Sequence, residues 1–194
     1  MRMKVAVLSV VFAVALAGCA SATPGPVDVD PLTSVTSESV APPRAESEIY
    51  AAVVRQLVLI DHSFGSGPPT PFRQVYVLDS YASGSGDMVI VTDGPPLDAD
   101  LKNAIANQPG DMPPVEFIAR REDKGHVERQ GLTAVDNDGV IVGLAPLAYQ
   151  GEGTVHVGAG YWCGGDCGLA VTYVVDKVHG HWQVTGQTGP MSIA

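Results

Sequence analysis

The chain has few basic residues, and this shortage argues against two classes of partner. Its 194 residues include 11 Lys and Arg against 21 Asp and Glu, which gives a formal net charge of -10. Nucleic acids and anionic lipid headgroups are bound through clustered Lys and Arg, which this composition does not supply. We therefore expect no nucleic-acid partner and no electrostatic docking on a membrane surface.

Long apolar runs are also missing, apart from one near the N terminus. A helix that crosses a bilayer needs roughly 20 apolar residues, whereas the run from Val5 to Ala17 is shorter and is broken by Ser9. Arg2 and Lys4 precede this run and small residues follow it, which is the layout of a secretory signal. We therefore predict that residues 1–18 are a signal peptide that is removed on export.

Cysteine is scarce, with three residues in the chain. The first, Cys19, ends the sequence LAGC, which resembles the lipobox of bacterial lipoproteins. The resemblance implies that a diacylglyceryl group is attached to the Cys19 sulfur and that cleavage occurs just before this residue. Two or more acyl chains, such as palmitate, give stable attachment, whereas one chain binds only marginally. We therefore expect a lipid anchor at Cys19 that holds the protein on the extracytoplasmic face of the cell membrane.

The segment after Cys19 is rich in Ser, Thr, Pro, Val and Asp and lacks helical or strand periodicity. Such a composition is typical of a flexible tether. We therefore predict that residues 19–45 comprise the lipidated cysteine and a disordered linker. The remaining residues, 46–194, are enough for a single domain with its own core.

Two segments of this domain have apolar residues at the 3.6-residue spacing of an amphipathic helix. The first is 48–61, and the second begins near Asp98, whose charge suits a helix N terminus. Turn residues then separate short stretches rich in β-branched and aromatic residues, which is typical of strands and hairpins. We predict an α+β domain in which two helices pack on a curved, mainly antiparallel sheet that ends in a C-terminal β-meander. The predicted apolar helix faces are Ile49, Val53, Leu57 and Ile60, and Leu97, Leu101, Ala104 and Ile105; the predicted strands are 74–79, 88–92, 115–119, 139–144, 154–162, 169–178 and 182–185.

The other two cysteines, Cys163 and Cys167, belong to the distinctive motif YWCGGDCG. An even pair of cysteines in an oxidising compartment is typical of a disulfide. The intervening residues suit a three-residue hairpin loop, which would place the two cysteines opposite each other at bonding distance. A redox site is the alternative, but the spacing is not C-x-x-C. We therefore predict a structural disulfide between Cys163 and Cys167.

A metal interpretation combines Cys163 and Cys167 with His179 and His181. These four residues would suffice for a tetrahedral zinc site, but finger-type sites space their histidines about three to five residues apart. The segment from Asp136 to Gly139 resembles part of a calcium loop, but it lacks the complete ligand order and is better explained as a turn. We therefore expect no metal and no cofactor, and metal carriage through the four residues stays an alternative.

Candidate catalytic residues are scattered along the chain. Asp61, His62 and Ser63 are the residue types of a hydrolase triad, but adjacent residues cannot converge on one point. The G-x-S-x-G motif of α/β-hydrolases is absent. His156 alternates with apolar neighbours and is expected on the solvent side of a strand. An enzyme with a scattered site of His and carboxylate groups is the alternative to a protein without catalytic residues.

Trp162 and Trp182 are candidates for an aromatic platform that binds a sugar or a peptide, although strand tryptophans more often pack within their own sheet. YWCGGDCG, followed by TYVVDK, by Gly180 before Trp182 and by TGPMSIA, resembles the C-terminal hairpins of uncharacterised bacterial envelope proteins. The segment SEIYAAVVRQLV is similar to actinobacterial lipoproteins of unknown function. The resemblance implies paired cysteines and a lipid anchor, but no activity. We expect a tethered domain that binds an envelope protein, a glycan or a small ligand.

Overall fold

The computed structural model of the protein describes residues 43–61, 71–82, 92–128 and 131–193. Two helices and a mainly antiparallel sheet make up this part of the chain, and the sheet ends in a C-terminal meander. The predicted α+β class is therefore confirmed. The predicted signal peptide, Cys19 and most of the predicted linker lie outside the described residues. Neither described helix is long and apolar enough to span a bilayer.

The main sheet has six strands and is mixed in direction. The helices are α1 (Pro43–Leu59) and α2 (Ala99–Ala106); the strands are β1 (Gln74–Leu78), β2 (Ser80–Ala82), β3 (Thr92–Pro96), β4 (Val115–Ile118), β5 (Gly125–Val127), β6 (Thr133–Val135), β7 (Gly139–Gly151), β8 (Thr154–Gly164), β9 (Cys167–Val178) and β10 (His181–Ile193). The strand order in the main sheet is β10-β9-β8-β7-β1-β4. β1 runs parallel to β4 and β7, and the remaining pairs are antiparallel. β2 pairs with β3 and β5 pairs with β6, as two small separate sheets.

α1 covers one face of the main sheet, which we call the helix-covered face. The helix begins at Pro43, where the missing backbone N–H is not needed by a helix, so it starts slightly before the expected domain boundary at residue 46. Ile60, predicted to be the fourth member of the buried stripe, lies beyond the helix and is 61% exposed, so that prediction is wrong. The buried face of α1 consists of Ile49, Tyr50, Val53, Val54, Leu57 and Val58.

α2 is short and is fixed at its N terminus by a side-chain cap. The Asp98 carboxylate accepts a hydrogen bond of 2.7 Å from the backbone N–H of Leu101, which satisfies one of the unpaired donors of the first turn. Leu101 and Ile105 are buried in the same core as α1, as their spacing predicts. The helix ends at Ala106, before the predicted stop at Pro109.

The opposite face of the sheet carries a second, smaller core centred on Trp162. The β5–β6 hairpin and the 3₁₀ turn Arg121–Asp123 cover this end of the sheet. A Cβ on Gly125 would lie 3.0 Å from the Trp162 ring, so glycine permits the close approach. The Arg121 guanidinium lies 5.0 Å from the centre of the same ring. The sequence did not predict this hairpin. The smaller core consists of Tyr76, Leu78, Ile118, Val135, Ile141 and Trp162.

Two further predictions concern the segments 88–92 and 136–139. Most of the predicted strand at 88–92 lies outside the described residues, and Thr92 itself begins β3. The segment from Asp136 to Gly139 is a turn, as predicted. It is a 3₁₀ turn in which Asn137 and Asp138 take positive φ angles of 60° and 50°.

Candidate binding cleft

The disulfide between Cys163 and Cys167 is present, but the hairpin around it differs from the predicted one. Gly164 pairs with Cys167 across the strands, so the turn consists of residues 165–166 and not of three residues. Cys163 is the extra residue of a β-bulge beside this turn. The bonded cysteines are therefore diagonal neighbours, with Cα atoms 5.2 Å apart, a separation that disulfides tolerate.

The turn beside the disulfide is seated against β6. A Cβ on Gly164 would lie 2.5 Å from the carbonyl oxygen of Thr133, and its φ of 106° also favours glycine. The backbone N–H of Gly165 donates a hydrogen bond of 2.8 Å to the Thr133 hydroxyl. The contacts of Gly164 and Gly165 with Thr133 thus hold the tip of the β8–β9 hairpin against β6. Closing so short a loop stabilises the fold by about 2 kcal/mol in the chain-entropy model.

The four residues of the alternative metal site do not come together. Cys167 begins β9, and His179 follows the end of this strand. A strand of 12 residues spans roughly 35–40 Å, so the two ends cannot share an ion. His179 is exposed in the β9–β10 turn, and His181 is exposed at the start of β10. Within the described ranges, no group of three or more His, Cys, Asp or Glu side chains is placed to hold a metal.

The candidate catalytic residues are likewise separated. His62 and Ser63 lie outside the described residues. His156 is half-buried. Its neighbours Val155 and Val157 are fully buried on the helix-covered face, so the side chain of His156 points to the opposite face of the sheet. Asp61 contacts side chains on the helix-covered face, so the sheet lies between it and His156.

The two tryptophans do not form a common platform. Trp162 is 7% exposed and belongs to the core of the opposite face. Trp182 is half-buried and packs against the core of the helix-covered face. Because the sheet separates the two rings, one ligand cannot stack on both.

A cleft of about 360 Å³ opens between α1 and the edge strand β10. Its volume lies within the usual range for pockets that bind small molecules. The strand contributes a continuous stretch, while α1 and β9 contribute one residue each. The lining residues are Gln56, Tyr173, Val184, Thr185, Gly186 and Gln187.

Asp61 connects the three elements that form this cleft. Its Oδ2 accepts a hydrogen bond of 2.7 Å from the hydroxyl of Tyr173 on β9. The amide Nε2 of Gln56 on α1 donates to the same oxygen over 3.2 Å, and that of Gln187 on β10 over 3.4 Å. The hydroxyl of Tyr161 donates to the Asp61 backbone carbonyl over 3.4 Å. One partly exposed carboxylate is thus held by groups from the helix and from two strands.

The phenols next to Asp61 are neutral donors. Burial raises the pKa of Tyr173 well above its ordinary value, and the hydrogen bond to Asp61 and the charge of that carboxylate raise it further. Burial also raises the pKa of Tyr161, and the charge of Asp61 adds to this shift. Both hydroxyls therefore stay protonated at physiological pH, so Tyr173 can donate to the Asp61 carboxylate and Tyr161 to the Asp61 backbone carbonyl.

No linear motif marks this cleft, since its residues extend from Gln56 on α1 to Gln187 on β10. In the sequence, Asp61 is a candidate functional residue only because it is adjacent to His62 and Ser63. Neither a protein-family model, nor a curated protein, nor a solved structure matches the chain. Function is therefore inferred from the residues of the cleft and from the features of the N-terminal sequence.

Proposed function

We propose that the protein is a lipoprotein of the bacterial cell envelope, anchored through acylated Cys19, and that its domain binds a small polar ligand in the cleft beside Asp61. The observation that carries the binding proposal is the convergence of polar side chains from α1, β9 and β10 on one opening of ligand size. The cleft combines a concave surface with several hydrogen-bonding groups, as sites for small ligands usually do.

The lining of the cleft suits recognition through hydrogen bonds. Gln56 and Gln187 each present an amide with both donor and acceptor capacity. Val184, which is half-buried, adds an apolar contact beside them. A few polar groups with some apolar surface are typical of sites that orient a small molecule.

Binding is favoured over catalysis because the hydroxyl beside the cleft is not activated. Thr185 donates its hydroxyl to Asp176 over 2.5 Å. Hydrogen bonds from Thr154 and then from Thr185 lower the pKa of Asp176, which makes this carboxylate a weak base. Among the described residues that line the cleft, none is a histidine or a cysteine. An enzyme with a scattered site is thus the second candidate, and we favour a tethered binding domain.

Replacing Cys19 by serine tests the anchor. Because the diacylglyceryl group is attached to a thiol, Cys19→Ser is expected to abolish incorporation of labelled palmitate and to move the protein from the membrane fraction to the soluble fraction. The double variant Cys163→Ala/Cys167→Ala is the control, and it is expected to keep the label. A Cys19→Ser protein that still takes up label and still sediments with membranes would show that the lipoprotein proposal is wrong.

Filling the cleft tests the binding site. Gln187 is exposed and points to the helix-covered face, because it pairs with Tyr173 across the strands. Gln187→Trp should therefore occupy the cleft and abolish ligand binding. The matched control is Gln183→Trp, which places the same side chain on the same strand but on the opposite face, since Gln183 pairs with Asp176.

The probes for this test are a defined panel of amino acids, sugars and short amines, observed by saturation-transfer NMR. We expect at least one probe to bind the wild type and the Gln183→Trp protein but not the Gln187→Trp protein. If no probe binds, or if Gln187→Trp leaves binding intact, the cleft is not the ligand site.

A further inference from the structure

We propose that the ligand of the cleft is a small organic cation, an amine or a guanidinium, whose charged group pairs with the carboxylate of Asp61. This inference rests on the proposed binding function and specifies its ligand class. It follows from the charge balance around Asp61, from the position of this residue at the end of α1 and from the acceptor groups beside it.

The first observation is that, among the described residues, the side chains that donate to the Asp61 carboxylate are all neutral. The three hydrogen bonds to its Oδ2 come from one phenol and two amides. None of the ion pairs found within the described ranges includes Asp61, whereas Asp79 lies 3.9 Å from Lys102. A carboxylate that has no counterion among the described residues attracts a cationic ligand through its charge.

The second observation is the position of Asp61 after the last residue of α1. The C-terminal end of a helix carries a partial negative charge, and a cation is favoured there. The last turn of α1 contains no basic residue that could meet this charge. The backbone N–H groups of Ile60 and Asp61 both donate to the Gln56 carbonyl over 3.0 Å, which holds Asp61 against the helix end. The carboxylate and the helix dipole therefore attract a cation to the same place.

The third observation concerns the groups that would contact the rest of the cation. Gln56 and Gln187 turn their Nε2 atoms towards Asp61, and each amide keeps its oxygen as an acceptor. An ammonium or a guanidinium supplies several N–H donors for such oxygens.

Other ligand classes fit less well. The carboxylate and the net charge of -10 repel an anion. A neutral polyol could use the amides but would leave the charge of Asp61 uncompensated. A bare metal ion needs several anionic or histidine ligands, and Asp61 is the one carboxylate in the hydrogen-bonded group that also contains Tyr173, Gln56 and Gln187.

The test compares three probes of similar size: n-butylamine, n-butanol and butyrate. Each is titrated into the mature protein at low ionic strength, and the side-chain amide signals of Gln56 and Gln187 are followed by NMR. We expect n-butylamine to bind on the order of tenfold or more tightly than the other two probes, since hydrogen bonds to charged groups are the stronger ones. Binding should weaken as salt is added.

Asp61→Asn is the decisive variant because it removes the charge and keeps the size of the side chain. We expect it to weaken n-butylamine binding on the order of tenfold or more. Asp166→Asn removes the same charge at an exposed turn of the β8–β9 hairpin, and asparagine is also favoured in turns. This control is expected to leave the Kd for n-butylamine unchanged within about twofold, because screening weakens distant surface charges.

A second variant keeps the inference testable if Asp61→Asn fails to fold. Gln187→Lys places a tethered ammonium near Asp61, because the Gln187 amide already lies 3.4 Å from the carboxylate. We expect this protein to melt at a higher temperature than the wild type and to lose n-butylamine binding. A Gln187→Lys protein that binds n-butylamine as the wild type does would overturn the inference.

The remaining outcomes separate the cation inference from the binding proposal. If n-butanol perturbs the cleft amides as strongly as n-butylamine, the cleft binds ligands but does not select cations, and only the inference fails. If Asp61→Asn lowers the melting temperature but leaves the Kd unchanged, Asp61 has a purely structural role and the inference fails in the same way. If no member of the wider panel binds, both proposals fail.

Discussion

Leu101→Ala is expected to lower the free energy of unfolding by about 2–5 kcal/mol. Leu101 is 1% exposed and lies in the core that α2 shares with α1 and with the helix-covered face of the sheet. Truncation would leave a cavity in a region where both helices meet, and a close-packed core relaxes only partly around such a cavity. Denaturation by urea, followed by tryptophan fluorescence, measures the change.

Asn103→Ala is the matched control on the same helix, since Asn103 is exposed. Lys102 also lies off the apolar face in the sequence pattern, but it is a poor control. Its Nζ is 3.9 Å from Asp79 and 5.6 Å from the centre of the Phe117 ring, so its truncation removes two contacts. Small and equal losses of stability in Leu101→Ala and Asn103→Ala would contradict the assignment of the buried face.

Raising the pH above about 10 is expected to destabilise the domain steeply. Burial is the largest cause of a raised pKa at Tyr50, Tyr81, Tyr161 and Tyr173. Hydrogen bonds to carboxylates add to the shift at two of them, from Tyr81 to Glu46 over 2.8 Å and from Tyr173 to Asp61 over 2.7 Å.

The sign of the effect follows from proton binding. The folded state holds these phenolic protons at a pH where the unfolded chain, with its ordinary tyrosine pKa of 10.0, releases them. The contribution to stability is therefore complete below pH 10 and is lost progressively above it, by at most about 1.4 kcal/mol per pH unit for each tyrosine. Urea denaturation at a series of alkaline pH values measures this slope.

Tyr173→Phe provides the control for the alkaline transition, because it removes one of the four phenols and keeps the ring. Its free energy of unfolding should fall less steeply with pH than that of the wild type. In the wild type, the part of the phenolate absorbance that comes from these four of the six tyrosines should rise together with loss of the fold. A free energy of unfolding that stays constant as the pH rises above 10 would show that these phenols are not protected.

Local features of the chain were predictable because they depend on neighbouring residues. The periodicity of α1 and α2 identifies the buried faces, and the Asp98 cap lies where a helix N terminus needs an acceptor. The disulfide follows from two cysteines at hairpin spacing. The bulge at Cys163 did not follow, because the contact between Gly164 and Thr133 that accommodates the turn involves β6, a strand without a clear sequence signal.

The pairings between distant segments were not predictable from the pattern. β1 lies between β4 and β7 and is parallel to both, although an antiparallel meander alone would not require this arrangement. The cleft depends on the same kind of information. Asp61 and Tyr173 are separated by 112 positions in the sequence, and neither residue type signals the other. A single sequence gives the polarity of each side chain, but it does not identify the distant side chains that this side chain contacts in the fold.

The irregular course of β10 bears on self-association. A long, straight edge strand offers a continuous row of N–H and C=O groups to which another chain can add. β10 has 13 residues, but register shifts interrupt it between Val184 and Gly186 and between Thr188 and Ser192, and Pro190 in the second interval has no N–H to donate. The proposed lipid anchor at Cys19 would confine many copies to one plane at high local density. The interrupted edge would then oppose their joining into a continuous sheet, so that crowded molecules stay separate.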